Sequence, residues 1–244
     1  MKEKIRLDQY LVEKGHCQSR HQARSLILSG NVLINQKVSD KPGLSIHKDA
    51  DILIKEKKRF VSRGGDKLQG ALEEFQFLAK GSVVLDIGAS TGGFTDCLLQ
   101  NGAAKVYCVD VGYGQLAWTL RQDPKVFVRD KTNARYLKKS DFDCLFNLIT
   151  MDVSFISIQK IFQVLPDLLE ADGKIILLLK PQFEAQREHI HKGGVVRDQN
   201  VIEEIIENTT IFINKMNFNV KQVSPSCLKG PAGNQEYFLL LERK

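Results

Sequence analysis

The chain has 244 residues, of which 43% are hydrophobic, 26% are charged and 8% are aromatic, and its formal net charge is +6. This composition is that of a globular protein and excludes a disordered chain, a collagen and a coiled coil. The longest unbroken apolar stretch is 175–179, far short of the ~20 residues of a membrane span. The N-terminus carries no apolar secretion signal, so we expect a cytoplasmic protein.

The positive charge is concentrated in the first quarter of the chain. Residues 1–60 carry 13 Lys and Arg against 7 Asp and Glu, a difference of +6, whereas residues 61–244 carry 22 against 22. A basic module beside a neutral body indicates a polyanionic partner, of which nucleic acid is the commonest. On charge alone, a merely solvated surface remains the alternative.

Short helices and strands are predicted in this basic region. Apolar residues at helical spacing predict one helix that ends at Gly15 and a second helix between Ser19 and Gly30. A strand and turn are predicted at 31–38, and a further strand at 51–54. The region is therefore predicted to be a small α+β domain.

Arginines mark one face of the second helix. Arg20 and Arg24 are four residues apart and so share a face, and Arg6 precedes the first helix. The run S-R-x-x-A-R-x-L-I-x-x-G-x-V-x-I-N at 19–35 resembles the small RNA-binding domain named for a small-subunit ribosomal protein. This resemblance covers residues 5–56 and implies that Arg6, Arg20 and Arg24 bind RNA. Without it, solvated surface arginines are the alternative.

Strands alternate with helices from Val61 onward. Apolar strands are predicted at 82–87, 104–109, 125–128, 145–150 and 174–179. This alternation predicts an α/β fold with a mostly parallel sheet that binds its ligand at the carboxyl ends of the strands. The last two apolar segments, 217–223 and 236–241, predict an antiparallel hairpin at one edge of that sheet.

The first of these strands ends in a loop of small residues, D-I-G-A-S-T-G-G at 86–93. Small residues let the backbone approach a nucleoside closely, but Ser90 and Thr91 break the G-x-G-x-x-G spacing of a dinucleotide site. Asp86 favours the cationic groups of S-adenosylmethionine over a pyrophosphate. The predicted cofactor loop consists of Asp86, Gly88, Ala89, Ser90, Thr91, Gly92 and Gly93.

Two more carboxylates follow the next two strands. Asp110 ends the second strand, where a carboxylate accepts hydrogen bonds from ribose hydroxyls. Asp130 follows the third strand and is predicted to accept from the adenine amino group. A helix cap is the alternative for any one of these residues. Three carboxylates at successive strand ends favour a cofactor site.

Five further blocks of sequence complete the pattern. They are V-S-R-G-G-D-K-L at 61–68, D-K-T-N-A-R at 130–135, M-D-V-S-F-I-S at 151–157, K-P-Q-F-E at 180–184 and G-P-A-G-N-Q-E-Y-F at 230–238. With the loop, they resemble the TlyA (hemolysin-like) family of ribosomal RNA 2'-O-methyltransferases, whose FtsJ-type catalytic domain follows a ribosomal-protein-like RNA-binding domain. Ser90 stands where the commonest methyltransferase motif has glycine.

The resemblance implies a division of the chain into domains. It places a small basic RNA-binding domain at 1–56, a linker at 57–62 and an S-adenosylmethionine-dependent methyltransferase domain of Rossmann-like fold at 63–244. The chain stops soon after its last predicted strand, whereas some members have a longer tail, so the ribosomal subunit stays open.

The resemblance also implies a catalytic set of Lys67, Asp152, Lys180 and Glu236. Three of these follow or open predicted strands, so they are expected at one rim of the sheet. We assign Lys180 as the base or orienter of a ribose 2'-hydroxyl, and Lys67 as the residue that steers it. A surface lysine, a strand-end lysine and a carboxylate in a salt bridge are the alternatives for single members.

Further predictions concern a loop segment, the histidines and cysteines, and two phenylalanines. The segment 184–197 is predicted to be a mobile lid. Its His189 and His191 alternate without an accompanying carboxylate or cysteine motif, and the five cysteines form no C-x-x-C pair, so we predict no metal and reduced thiols. Phe155 and Phe183 flank the site, where they stack on a base or pack in the core.

The sequence thus predicts S-adenosylmethionine-dependent 2'-O-methylation of ribosomal RNA or a ribosomal subunit, with cytidine as the target that the resemblance implies. A catalytically inactive ribosome-associated factor is the main alternative, against which the complete catalytic set argues. A small-molecule methyltransferase is a second alternative, against which the basic module argues. A hemolysin is a third, but no amphipathic apolar stretch predicts pore formation. The oligomeric state is left open.

Overall fold

The computed structural model describes residues 3–55 and 59–244. The chain forms two compact units, residues 1–58 and 59–244, and each is described by itself. Of the predicted linker, residues 57 and 58 lie outside the described residues. Phe60, also within that predicted linker, is buried in an apolar core of the second unit.

The described residues of the first unit, 3–55, form two helices and five short strands. In chain order these are β1 (Lys4–Arg6), α1 (Leu7–Glu13), α2 (Arg20–Leu28), β2 (Val32–Ile34), β3 (Lys37–Ser39), β4 (Ser45–His47) and β5 (Ile52–Ile54). Strands β3, β2 and β5 form one antiparallel sheet, and β1 pairs antiparallel with β4. The prediction of a small α+β domain is confirmed.

Local sequence explains the boundaries in this unit. The Ser19 hydroxyl accepts a hydrogen bond from the main-chain N–H of Gln22 at 3.2 Å and so caps α2. Asn35 and Gln36 both have positive φ, 47° and 66°, and form the two-residue turn between β2 and β3. The fully buried apolar side chains come from both helices and β2: Leu7, Leu11, Ala23, Ile27 and Val32.

The second unit is built on a seven-stranded sheet in the order β11-β12-β10-β9-β6-β7-β8. Its strands are β6 (Val83–Ile87), β7 (Lys105–Val109), β8 (Val126–Arg129), β9 (Phe146–Met151), β10 (Leu169–Leu179), β11 (Phe218–Pro225) and β12 (Tyr237–Arg243). Its α-helices are α3 (Arg63–Glu74), α4 (Gly93–Gln100), α5 (Trp118–Arg121), α6 (Gln159–Phe162), α7 (Leu165–Leu168), α8 (Pro181–Glu184) and α9 (Gln199–Lys215). Strands β8, β7, β6, β9 and β10 are parallel, and β12 is antiparallel to both β10 and β11.

Both faces of this sheet are covered, which explains the unbroken apolar strands. Leu148 and Ile176 belong to the core on one face, whereas their neighbours Ile149 and Leu177 belong to the core on the other. Successive side chains of a strand point to opposite faces, so two covered faces require apolar residues at every position. The predicted α/β fold with an antiparallel edge hairpin is confirmed.

The cysteines differ in their exposure to solvent. Cys17, Cys97 and Cys108 are buried, while Cys227 is exposed. Within residues 3–55 and 59–244, no helix is long and apolar enough to cross a membrane. The same residues contain no group of three His, Cys, Asp or Glu arranged to hold a metal ion.

Candidate active site

A cavity of about 520 Å³ opens at the carboxyl ends of β6, β7 and β9. Ile87 and Val109 form part of its apolar wall, and Asp110 and Asp152 contribute carboxylates. Such an edge of a parallel sheet is where α/β proteins bind nucleotides. The other lining residues are Gly88, Ser90, Val111, Gln115, Thr132, Asn133, Ala134, Arg135, Val153, Ser154, Phe155, Ile156 and Ile161.

The loop after β6 crosses close over the end of β9. Gly88 has φ +81°, and a Cβ there would clash with the main-chain carbonyl of Asp152. The register explains this contact, because Ile87 of β6 pairs with Met151 of β9, immediately before those two residues. Ser90 also lies in the left-handed region, with φ 48°. Its hydroxyl contacts Gln115 at 3.2 Å.

Asp110 forms a hydrogen bond with the loop after β6 and also lines the cavity. Its Oδ2 accepts a hydrogen bond from the main-chain N–H of Ser90 at 2.8 Å, and its Oδ1 accepts from that of Gly112 at 2.7 Å. Each carboxylate oxygen accepts two hydrogen bonds, so Asp110 retains acceptor capacity toward the cavity. Of the three predicted cofactor carboxylates, Asp110 is the one that lines the cavity.

The other two predicted cofactor carboxylates lie elsewhere. Asp86 is buried within the sheet, where its carboxylate accepts from the hydroxyls of Thr95 at 2.7 Å and Thr150 at 2.9 Å. Burial raises the pKa of Asp86 to about 6, although these hydrogen bonds oppose the rise. Asp130 pairs with the guanidinium of Arg121 at 2.6 Å. The structure therefore brings neither carboxylate into the lining of the cavity.

The remaining loop residues are divided between the cavity and the core. Gly88 and Ser90 line the cavity. Ala89, Gly92 and Gly93 are buried, and Gly92, with φ +95°, immediately precedes α4. Thr91 is exposed, and its carbonyl accepts from the main-chain N–H of Ala117 at 3.2 Å.

Four charged side chains form two lysine–carboxylate pairs. Lys180 Nζ lies 2.5 Å from Asp152 Oδ1, and Lys67 Nζ donates to Glu236 Oε2 at 2.5 Å. Lys67, Lys180 and Glu236 are buried, while Asp152 is half-buried. Leu179 of β10 pairs with Tyr237 of β12, so the register brings Lys180 and Glu236 to adjacent positions.

Two residues that sequence reasoning missed support these pairs. Ser154 accepts a hydrogen bond from Lys180 Nζ at 3.0 Å, which gives the ammonium a second fixed partner. Gly230 leaves room for the carboxylate of Glu236, since a Cβ at position 230 would lie 2.5 Å from Oε1. Both residues lie in the sequence blocks quoted above, but one sequence alone gives no sign of these contacts.

An exposed aromatic side chain stands at the rim of the cavity. Phe155 is 92% exposed, has φ 64°, and lies 5.1 Å from Phe183 between ring centroids. A positive φ in a bulky residue is strained, and such strain clusters at functional sites. Of the two sequence interpretations, core packing is wrong for Phe155, because its ring lies in solvent.

Hydrogen bonds hold the segment 184–197 near both of its ends. The Glu184 carboxylate accepts from Ser157 Oγ at 2.6 Å and from the N–H of Ile158 at 2.8 Å, and burial raises its pKa. At the other end, buried Asn234 donates to the Gly194 carbonyl at 2.8 Å and accepts from the Val196 N–H at 2.9 Å. The exposed residues His191, Lys192 and Gly193 lie between these anchors.

The predicted RNA-binding arginines lie in the first unit. Arg6 and Arg20 converge on the carboxylate of Asp8, and Arg24 is exposed one turn further along α2. The structure therefore brings two of the three arginines together. Sequence reasoning missed Asp8, which is an acidic residue within a basic region.

Comparison with known proteins extends over both units. Residues 60–243 match the family model described as FtsJ-like methyltransferase, and residues 5–52 match the S4 domain. The 16S/23S rRNA (cytidine-2'-O)-methyltransferase TlyA of Mycobacterium tuberculosis is 40% identical over 243 residues, which are 99% of this chain and 91% of TlyA. Hemolysin A of Brachyspira hyodysenteriae is 40% identical over 234 residues, 96% of this chain and 98% of that protein. Among solved structures, that of a Streptococcus thermophilus protein provisionally named a hemolysin matches with a TM-score of 0.76 and 41% sequence identity. This match covers 100% of this chain and 90% of that chain.

Proposed function

The chain belongs to the FtsJ-like methyltransferase family, and from this premise we propose that it transfers a methyl group from S-adenosylmethionine to a ribose 2'-hydroxyl of ribosomal RNA. The observation that carries the proposal is the pair of buried lysine–carboxylate contacts beside a nucleotide-sized cavity. Cytidine is the proposed target nucleoside, because the relative TlyA is named for it. Because ribosomal RNA is the proposed substrate, the proposed site of action is the cytoplasm.

The residues that line the cavity support S-adenosylmethionine as its ligand. Gly88 leaves no room for a side chain where the loop passes over β9, and Asp110 presents a carboxylate with free acceptor capacity. Asp110 is the proposed acceptor for the two ribose hydroxyls of the cofactor. The cofactor supplies an electrophilic methyl group on a positively charged sulfur. No metal is part of this proposal.

Asp86 has a different role from the one its sequence position suggests. Its buried carboxylate bonds Thr95 of α4 and Thr150 of β9, so it joins β6 to two neighbouring elements beneath the loop. We therefore propose that Asp86 supports the cofactor loop from below. Asp130 likewise holds the loop after β7, since it accepts from the N–H of Gly114 at 3.2 Å.

The two lysines act on the target hydroxyl. A ribose hydroxyl is a weak nucleophile until its proton leaves, and a positioned base typically contributes about 10²–10⁴-fold to such a step. Lys180 is the proposed base that takes the proton of the 2'-hydroxyl or the residue that orients this hydroxyl. Asp152 and Ser154 fix the direction of the Lys180 side chain. Lys67, held by Glu236, stabilises the negative charge that develops on the oxygen.

RNA recognition is assigned to two surfaces. In the first unit, Arg6, Arg20 and Arg24 contact RNA phosphates, and the match of this unit to the S4 domain supports an RNA substrate over a small molecule. In the second unit, Phe155 offers an exposed ring at the rim of the cavity, where a target base removed from its helix would stack. The complete set of two lysines and two carboxylates supports an active enzyme over an inactive binding factor.

The test is to methylate ribosomal RNA that lacks the modification. Ribosomal RNA and intact subunits from cells without this protein are incubated with S-adenosylmethionine carrying a labelled methyl group, and 2'-O-methylated positions are mapped by their resistance to alkaline cleavage. We expect label at one or a few cytidines. Label on bases, or no label in either RNA or subunits with folded protein, would contradict the proposal.

A further inference from the structure

Asp8 is a buried acidic residue in the basic first unit. It lies in the first turn of α1, and its side chain is 0% exposed. Its main-chain N–H donates to the carbonyl of Pro42 at 3.0 Å, which fixes the start of the helix against a loop. Burying a carboxylate is costly unless positive groups pair with it. The buried carboxylate of Asp8 therefore requires positively charged partners.

Two arginines share the Asp8 carboxylate. Nε and Nη2 of Arg6 donate to Oδ1 and Oδ2, each at 3.0 Å. Nη2 of Arg20 donates to Oδ2 at 2.9 Å. The hydrogen bonds from Arg6 lower the pKa of Asp8 to about 2, against the opposing effect of burial. The carboxylate is therefore ionised at neutral pH, and the cluster has one negative and two positive charges.

The two guanidinium groups remain open to solvent. The side chain of Arg6 is 51% exposed and that of Arg20 is 58% exposed, although the carboxylate between them is covered. The bonds to Asp8 use three of the roughly ten N–H groups that two guanidiniums offer. Fixed planar forks of this kind bind phosphate oxygens with two parallel hydrogen bonds.

A purely structural role explains only one of these pairs. Arg20 opens α2, so its bond to Asp8 ties α2 to α1. Arg6 is two residues from Asp8 in sequence, so their two-bond pair ties no distant segment. Gly43 also makes room for Arg6, because a Cβ at that position would lie 3.2 Å from Nη1. The loop thus accommodates the Arg6 guanidinium in one defined place.

We propose that Asp8 is a positioning residue that orients Arg6 and Arg20 as one binding site for a phosphate of the RNA backbone. This inference rests on the proposed function, because it concerns how the first unit holds RNA. Arginines that are already ordered lose less conformational entropy when phosphate binds. The negative charge of Asp8 therefore strengthens the binding of a polyanion through the geometry that it imposes.

The sign of one substitution separates this proposal from simple electrostatics. Asp8→Asn removes a negative charge next to two RNA-binding arginines, so a charge effect alone strengthens RNA binding. If Asp8 acts by positioning, Asp8→Asn instead weakens binding, and we expect a loss of about tenfold, comparable to one charge-assisted hydrogen bond. The full-length chain is titrated with a fluorescein-labelled RNA stem-loop at several salt concentrations.

A matched variant measures the charge effect by itself. Asp51 is exposed in the same unit and uses its main chain to bond Asn35, so Asp51→Asn makes the same charge change without touching the cluster. We expect Asp51→Asn to strengthen RNA binding slightly. Equal effects of Asp8→Asn and Asp51→Asn would overturn the proposal. No binding by the unmodified chain, or no methylation of ribosomal RNA, would instead overturn the proposed function.

A second pair of variants keeps the test decisive if Asp8→Asn fails to fold. Arg6→Lys and Arg20→Lys retain Asp8 and the positive charge but lose the planar fork that shares the carboxylate. We expect each to weaken RNA binding several-fold, with little change in S-adenosylmethionine binding. Adding Asp8→Asn to a chain with Arg6→Gln and Arg20→Gln should cause no further loss of RNA binding. Unchanged RNA binding in both lysine variants would refute the positioning role.

Discussion

Lys180 is held by a carboxylate on one side and a hydroxyl on the other. Asp152 lies 2.5 Å from its ammonium and Ser154 lies 3.0 Å away, both on the loop after β9. Such fixed partners orient a side chain for proton transfer, because they leave it few alternative positions. Substitution of Lys180 should therefore affect the chemical step more than binding.

We expect Lys180→Ala to lower the single-turnover rate of methyl transfer by about a hundredfold or more, with nearly unchanged affinity for S-adenosylmethionine and RNA. Lys180→Arg should not restore the rate, since a guanidinium stays protonated. Lys215→Ala, at the exposed end of α9, serves as the control. A Lys180→Ala enzyme that reacts at the unmodified rate would move the role to Lys67.

Asp86 should make folding depend on pH. Its pKa is about 6 in the folded chain, against an ordinary value of 3.8. Between these values the folded chain keeps the proton and the unfolded chain loses it. Raising the pH through this window should therefore lower the free energy of unfolding by about 3 kcal/mol, and the loss is complete above about pH 6.

Asp86→Asn removes this ionisation, so we expect the variant to lose that part of the pH dependence and to gain stability relative to the unmodified chain at neutral pH. Urea unfolding at a series of pH values measures both effects. Asp172→Asn, the same change at an exposed position, is the control. Parallel stability curves for Asp86→Asn and the unmodified chain would contradict the raised pKa.

At the scale of elements, Asn234 connects the loop before β12 to the end of the segment 184–197. Both polar groups of its buried side chain are bonded, to the main chain of Gly194 and Val196. The loop carries Glu236 two residues later. The contact therefore joins the segment 184–197 to the loop that holds the Lys67 partner.

We expect Asn234→Ala to remove both bonds, at a cost of about 1 kcal/mol each, and to increase hydrogen exchange in the segment 187–196. The exchange is measured by mass spectrometry of the full-length chain. Asn200→Ala, at an exposed position in α9, is the control. Unchanged exchange in that segment would show that Val196 is held by its apolar neighbours alone.

The elements that sequence predicts best are those whose signal is local. Apolar runs gave the five parallel strands, and capping residues gave the ends of α2. Strands β1 (K-I-R) and β4 (S-I-H) contain no apolar run that predicts a strand, and their pairing of Lys4 with His47 spans distant parts of the chain. Asp86 was assigned to the cofactor because it precedes the loop, but its side chain points to Thr95 and Thr150 within the sheet.

Among the charged and polar contacts, too, local sequence predicts some and misses others. Asp110 is the last residue before a loop, and strand ends alone predict that it reaches the cavity. The partners of Asn234 are 38 and 40 residues away, and Arg20 is 12 residues from Asp8. Contacts of this length depend on how elements pack, so no local pattern in one sequence reveals them.

At the scale of the whole molecule, RNA affinity and chemistry are assigned to separate units. The first unit contains the three arginines that are proposed to bind RNA, and the second contains the cavity and both lysine–carboxylate pairs. Phe60 is buried in the second unit, so a division that respects both cores falls before Arg59.

We expect residues 59–244 alone to bind S-adenosylmethionine with the affinity of the full chain and to lose most methylation of ribosomal RNA. Calorimetry measures the first property and transfer of labelled methyl groups the second. RNA binding by the full chain should weaken steeply with salt, because phosphate contacts release counterions. Full methylation by residues 59–244 would contradict this division of labour.

Strand β12 follows β11 in the chain but lies between β11 and β10 in the sheet. During synthesis, β11 therefore leaves the ribosome before the strand with which it pairs. Glu236 emerges directly ahead of β12, and Lys67, made 169 residues earlier, meets its carboxylate partner only then. The nascent chain thus completes its sheet and acquires Glu236, the last of its four proposed catalytic side chains, in the same step.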